Sequence, residues 1–236
     1  SIYEKKAKAK YRLMCALIDE PVIDMEIVKD KLNISPATVK ALEADGIINV
    51  KVESYYRNPV SDKHIFNKKV VLNEEQQRAV DTIVEDYDNR AFNTYLIRGV
   101  TGSGKTEVYL DVIEHTINSG RQVIMLIPEI ALTFQTVQRF YHRFGDKVSI
   151  INSRMSKGER YDQFVRALKG EISIMIGPRS ALFTQFPNLG LIVIDEEHEG
   201  AYISEQVPRY HAKDLAIHIA KEAGASVILG SATPSI

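Results

Sequence analysis

With 236 residues, 44% of them apolar and a formal charge of −1, the sequence has the composition of an ordinary globular protein of one or two domains. A single cysteine, Cys15, excludes a disulfide framework and a cysteine-cluster metal site. No signal peptide is visible and no apolar run approaches the roughly 18 residues of a membrane span, so a reducing cytoplasm is the expected compartment.

The chain starts at Ser1 without a methionine, inside a helix-like basic stretch, as expected of a fragment. Lys5, Lys6, Lys8, Lys10 and Arg12 stand there against Glu4 alone, as a solvated helix start or a phosphate-touching arm. Leu13, Met14, Leu17 and Ile18 recur at helical spacing until Asp19-Glu20-Pro21. A second short helix is read from Asp24 as cap with Ile27, Val28 and Leu32 on one face. A third runs from Ser35-Pro36, through Val39 and Leu42, to Gly46. Ile48, Val50 and Val52 alternate with polar residues as a strand does. Three helices and a strand predict a winged-helix domain over residues 1–62. Its charges suit DNA poorly: Asp24–Gly46 holds three Lys and five Asp or Glu, and phosphate contacts supply most nucleic-acid affinity. A scaffolding or protein-contacting role is at least as well supported.

Residues 63–71 are read as the linker, from the mixture of charges, Asn58 and Pro59 that leads into them. Beyond it, Leu72–Gln77 opens a helix with Ala79, Val80, Ile83, Val84 and Tyr87 as its apolar stripe. Strand-like runs follow at 95–97, 122–127, 148–151, 172–176, 191–194 and 227–229, with helical patterns between most of them. Several of these runs are continuously aliphatic, as strands buried on both faces are. Residues 72–236 are therefore predicted to be an α/β domain with a parallel sheet between two layers of helices.

Gly99–Thr106 reads GVTGSGKT, the full phosphate-binding pattern G-x-x-x-x-G-K-[ST], after a strand and before a helix. Gly99, Val100, Thr101, Gly102, Ser103 and Gly104 give a backbone able to turn its N–H groups toward phosphate. Lys105 is then the phosphate-binding cation, and Thr106 a hydroxyl ligand to Mg²⁺. Roughly ninety residues on, four aliphatics end at Asp195-Glu196-Glu197-His198. Asp195 is placed to hold Mg²⁺, and Glu196 to orient or deprotonate water, so Lys105, Asp195 and Glu196 are the candidate catalytic set. His198 is either a link to neighbouring loops or a polar cap. Gly230-Ser231-Ala232-Thr233-Pro234, read alone, is a turn.

These stretches, in this order, resemble superfamily-2 helicases. GVTGSGKTEVY (99–109), LIPEIALT (126–133), GPRSALF (177–183), DEEHE (195–199) and RYHAKDLA (209–216) resemble more narrowly the bacterial primosomal replication-restart helicases. The resemblance covers 72–236 and implies a first RecA-like ATP-binding lobe behind a winged helix. It further implies an ATP- and Mg²⁺-dependent 3′–5′ DNA helicase that acts as a monomer at stalled forks and single strands, with primosome proteins and single-strand-binding protein as partners. It assigns Gln76 to adenine recognition, Arg179 and Ser180 to a loop near the DNA backbone, and residues 199–210 to an aromatic loop linking DNA to hydrolysis. Tyr202, Arg209, Tyr210 and His211 supply that loop's stacking and cationic groups. Asn152-Ser153 departs from the family's His-Ser, and Ile203-Ser204 from a more polar pair. The family's fork-binding domain and its second lobe, with an arginine finger and cysteine-bound zinc, have no counterpart in this sequence, so weak activity is expected of the fragment alone. Another superfamily-2 DNA translocase and a nucleotide-gated winged-helix regulator are the competing readings; a regulator has little need of a second carboxylate at position 196.

Overall fold

A computed structural model describes residues 2–19, 28, 32, 34–50, 70–100, 102–205 and 207–233. The chain divides into two compact units, Ser1–Tyr55 and Tyr56–Ile236.

The first unit contains α1 (Ile2–Asp19) and α2 (Pro36–Ala44). Ser35 caps α2 by accepting the Thr38 N–H, and Pro36 takes the first helical position, where a missing N–H loses no bond. Leu13, Val28, Ile34, Val39 and Leu42 form its core, with Ile48 and Val50 packed against it. The alternation at 48–52 does not produce a strand within the described residues: 48–50 pair with no neighbour, and Ile48 and Val50 are spent on the core instead. Most of the second predicted helix, most of the linker, and Val52 lie outside the described residues.

The second unit begins with α3 (Glu74–Asp88), closed at its start by a capping box in which Asn73 and Gln76 each bond the other's backbone N–H. Then come β1 (Thr94–Arg98), α4 (Lys105–Asn118), β2 (Gln122–Leu126), α5 (Phe134–Phe144), β3 (Val148–Ile150), α6 (Lys157–Leu168), β4 (Ile174–Gly177) and β5 (Leu189–Ile194). A short antiparallel pair, β6 (Ile203–Ser204) and β7 (Tyr210–His211), precedes α7 (Ala212–Ala223) and β8 (Ser226–Ser231).

Six strands form one parallel sheet in the order β1-β8-β5-β2-β4-β3. The period-2 geometry of a strand divides its aliphatics between two cores. Val123, Met125, Leu191, Val193 and Ile228 join Tyr109, Ile113 and Phe140 on one face. Ile124, Leu126, Ile192, Ile194, Val227 and Leu229 meet Ala167, Ala212, Ala216 and Ala220 on the other. Every residue of β2, β4, β5 and β8 is buried, which is why these runs show no polar alternation. Burying each Ile, Leu or Val contributes about 1.5–3 kcal/mol. Small residues on α7 let that helix lie close to the sheet. Arg121 ties the opposite end of the sheet together, donating to the Leu189 and Ala223 carbonyls while its guanidinium stacks 5.1 Å from the Phe92 ring centre. Among the described residues no helix is long and apolar enough to cross a membrane.

The strand order sets the site. β8 lies between β1 and β5, so the loops leaving the C-terminal ends of these three strands are neighbours. Gly99–Gly104 and Asp195–His198 lie on two of these loops, and Gly230-Ser231 end β8 between them, at the edge where open α/β sheets bind ligands.

Candidate nucleotide site and the adjoining hairpin

Gly102 (φ +82°) and Gly104 (φ +86°) occupy left-handed backbone that an L side chain rarely adopts. A Cβ on Gly104 would lie 2.3 Å from the Gln76 amide nitrogen. Gly104 is also the cap residue of α4, and no side chain caps that helix start. An uncapped helix N-terminus behind a glycine loop is the arrangement that accepts phosphate, so the residues present fit a nucleotide. Val100 is exposed and Thr101 lies outside the described residues.

Lys105, 8% exposed, donates to the Gly99 carbonyl at 2.6 Å and lies 3.5 Å from Glu196 Oε1. Its charge thus faces the Glu196 carboxylate and the Gly99 carbonyl. Gln76 donates from Nε2 to the Ser103 carbonyl at 2.9 Å and accepts the Asn73 N–H at Oε1, which joins the start of α3 to the glycine loop. Thr106 follows Lys105 in the first turn of α4.

Asp195 is held at both ends. Tyr109 donates to its Oδ1 at 3.1 Å, Tyr202 donates to its carbonyl at 2.7 Å, and its own N–H bonds the Leu126 carbonyl. Burial, reinforced by the Glu196 carboxylate, raises the Asp195 pKa above the ordinary carboxylate value. Burial first, and then Asp195, likewise push the Tyr109 and Tyr202 hydroxyls upward, so both stay protonated donors. Glu196 itself has φ +48°, a left-handed backbone unusual for a non-glycine residue and costing about 1–2 kcal/mol. From there Oε1 faces Lys105 and Oε2 lies 3.7 Å from His198 Nδ1.

His198 Nδ1 is 2.9 Å from the Ser231 hydroxyl, and the Ser231 carbonyl accepts the Gly99 N–H. This answers for His198: it links the acidic cluster to the end of β8, and through it to the glycine loop. Glu197 turns the other way. It is 3% exposed and accepts from Lys213 of α7 at 3.2 Å. Thr233 is exposed and Pro234 lies outside the described residues. Among the described residues no group of three or more His, Cys, Asp or Glu is placed to hold a metal ion. Thr106 and Asp195, a hydroxyl and a carboxylate, are instead the donor pair that suits Mg²⁺ sharing its shell with phosphate and water.

The predicted aromatic loop is a turn, Gly200–Tyr202, followed by the β6–β7 hairpin. Tyr202 was expected to stack on bases. Its side chain is 1% exposed, inside the core and bonded to Asp195, so it offers no face to a base. His211 accepts the Lys213 N–H at Nδ1 and thereby caps α7. Arg179 donates to the Ala201 and Ile203 carbonyls on either side of Tyr202, and Ser180 follows it in the same turn, half-buried. Arg209 is exposed, and with Ile203, Ser204, Glu205 and Tyr210 it lines a cleft. Tyr210 packs edge-on against Phe183, ring centres 5.5 Å apart. Sequence reasoning gave Phe183, Tyr109 and Lys213 no role beyond their places in quoted motifs, and read Gly230 only as part of a turn. The signals for Tyr109 are its place at the end of GVTGSGKTEVY and one helical turn after Lys105.

Comparison with known proteins adds to this geometry. A profile of the DEAD/DEAH box helicases matches residues 73–236. Replication restart protein PriA of Bacillus subtilis is 42% identical over 98% of this chain, which spans 29% of that relative. Replication restart protein PriA of Haemophilus influenzae is 42% identical over 90% of this chain, which spans 30% of it. Among solved structures, that of RecG bound to a three-way DNA junction superposes with a TM-score of 0.54 at 26% identity, covering 70% of this chain and 21% of RecG.

Proposed function

The chain belongs to the DEAD/DEAH box helicase family, and from that premise we propose that residues 72–236 are the first, ATP-binding lobe of an ATP-dependent 3′–5′ DNA helicase of replication restart. The unit before it is proposed to be a winged-helix domain whose acidic balance suits a protein partner better than DNA. Stalled forks and single strands are the proposed substrates, with primosome proteins and single-strand-binding protein as partners in a cytoplasmic setting.

One observation carries this reading: Lys105 of the glycine loop and Glu196 of the acidic cluster face each other at 3.5 Å, beside a second carboxylate, Asp195, fixed at both ends. When bound, Mg²⁺·ATP would supply the transferable γ-phosphoryl group and the cation that draws charge from it. Lys105 would then exchange its partners, the Gly99 carbonyl and Glu196, for phosphate oxygens. Thr106 and Asp195 would hold the cation. Glu196, released by Lys105, orients a water and accepts its proton. Gln76 reads the base: its amide uses one N–H and one lone pair on Ser103 and Asn73, which leaves one of each, and adenine's Hoogsteen edge, with its N7 acceptor and N6–H donor, matches that pair. Arg179, Ser180, Arg209, Tyr210 and His211 are proposed to face DNA, with Tyr202 relaying from the turn beneath them to Asp195.

A nucleotide-gated regulator would not require Glu196, and the strained backbone that aims it argues for hydrolysis. The test is ATP hydrolysis by the protein at its full natural length, with and without forked DNA, wild type against Glu196→Gln. Fork-stimulated turnover that collapses in the variant while ATP binding persists is expected. Turnover indifferent to DNA would overturn the helicase reading. The 236-residue chain alone is expected to bind ATP weakly and to unwind nothing, because an arginine finger from a second lobe contributes about 10³–10⁵ in rate.

A further inference from the structure

We infer that Tyr109 is a positioning residue for the Asp195 carboxylate, acting through its buried hydroxyl; the inference rests on the reading of Asp195 as a cation ligand. Tyr109 is 0% exposed and stands four residues after Lys105, so one helix presents the phosphate-binding cation and this hydroxyl on the same side. Its neighbours on α4, Val108, Val112 and Ile113, are purely apolar. A phenylalanine would fill the core at this position without burying a polar atom, and a buried hydroxyl is unfavourable unless it is bonded. It is bonded to Asp195 Oδ1.

The fold also makes room for that oxygen. A Cβ on residue 230 would lie 1.7 Å from the Tyr109 hydroxyl and 2.8 Å from the ring carbon bearing it. The hydroxyl therefore occupies a notch that exists because residue 230 is glycine. Tyr202 holds the carbonyl of the same aspartate from the opposite core. With the backbone fixed by Tyr202 and the carboxylate turned by Tyr109, the remaining lone pairs of Asp195 are aimed before a cation arrives. Groups that orient a metal ligand in this way commonly change metal affinity about 10–100-fold when removed.

The test compares wild type, Tyr109→Phe, Asp195→Asn and the double variant, using fluorescent mant-ADP titrated with Mg²⁺ or held in EDTA. Tyr109→Phe is expected to raise the half-saturating Mg²⁺ concentration about tenfold or more, with nucleotide affinity in EDTA unchanged. Asp195→Asn is expected to abolish the Mg²⁺ response, and adding Tyr109→Phe to change nothing further, as for two members of one unit. A Mg²⁺ titration of Tyr109→Phe that superposes on wild type overturns the inference. So does an equal loss of affinity in Mg²⁺ and EDTA, or a variant that fails to fold, because either makes Tyr109 a packing residue. A wild-type chain that binds nucleotide with no Mg²⁺ dependence overturns the underlying reading instead.

Discussion

His198 Nδ1 and the Ser231 hydroxyl lie 2.9 Å apart, joining the loop after β5 to the last residue of β8. Ser231 is fully buried, so its hydroxyl has little access to water as a substitute partner. His198→Ala and Ser231→Ala are each expected to lower unfolding free energy by about 1 kcal/mol. The double variant should cost less than the two added together. Urea denaturation of the four proteins measures this, and strict additivity would mean the two groups do not interact.

Glu197 and Lys213 meet at 3.2 Å across the base of the hairpin, the carboxylate side chain 2% exposed and the ammonium 27%. Lys213→Met takes the cation from a buried carboxylate and is expected to cost about 2–3 kcal/mol, below the full range for buried pairs because the lysine reaches solvent. Glu197→Gln combined with Lys213→Met should recover most of that loss. Chemical denaturation checks both, and a double variant no better than the single one would contradict this account.

Glu129 Oε1 accepts the Ser153 N–H at 2.8 Å. Its hydrogen bonds from Ser153, side chain first and then backbone, hold its pKa below the ordinary 4.5. A carboxylate with a lowered folded-state pKa stabilises the fold above its unfolded value, and that contribution is lost as pH falls through the folded one. Glu129→Gln should therefore melt below wild type at pH 7, with the gap closing as the pH drops below 4.5. A gap independent of pH across that window would show that the charge is irrelevant.

Gly230→Ala has no room for its methyl while Tyr109 keeps its place. Forcing the ring aside is expected to destabilise the fold by about 3 kcal/mol. Thermal melting gives the magnitude; a melting temperature equal to wild type would mean the notch is not needed.

Much of the second unit was legible in the sequence because its strands are aliphatic on both faces and its glycine loop needs particular backbone angles. Ile192 to Ile194, or Val123 to Leu126, could be placed from composition alone. What stayed hidden has one physical cause in common: composition does not say which backbone or side-chain group a residue bonds once the chain has folded. Tyr202 has the composition of a stacking residue, and nothing nearby says that its hydroxyl reaches back to Asp195. His211 lies in a cationic stretch, and nothing in that stretch says that its ring also accepts the Lys213 N–H. Ile48 and Val50 alternate as a strand would, and among the described residues both side chains pack on the small core with no strand assigned there. Tyr109 and Gly230 are 121 positions apart and meaningful only together.

The two bonds of the Gln76 amide, to Asn73 and Ser103, have a last, entropic consequence. A free glutamine at a ligand site loses rotamer freedom when the ligand arrives, at about 0.5–1.5 kcal/mol per immobilised side chain. Here the side chain is frozen when α3 and the glycine loop fold, so whatever Gln76 reads meets a rigid template, and selectivity is not diluted by the ordering of its own reader.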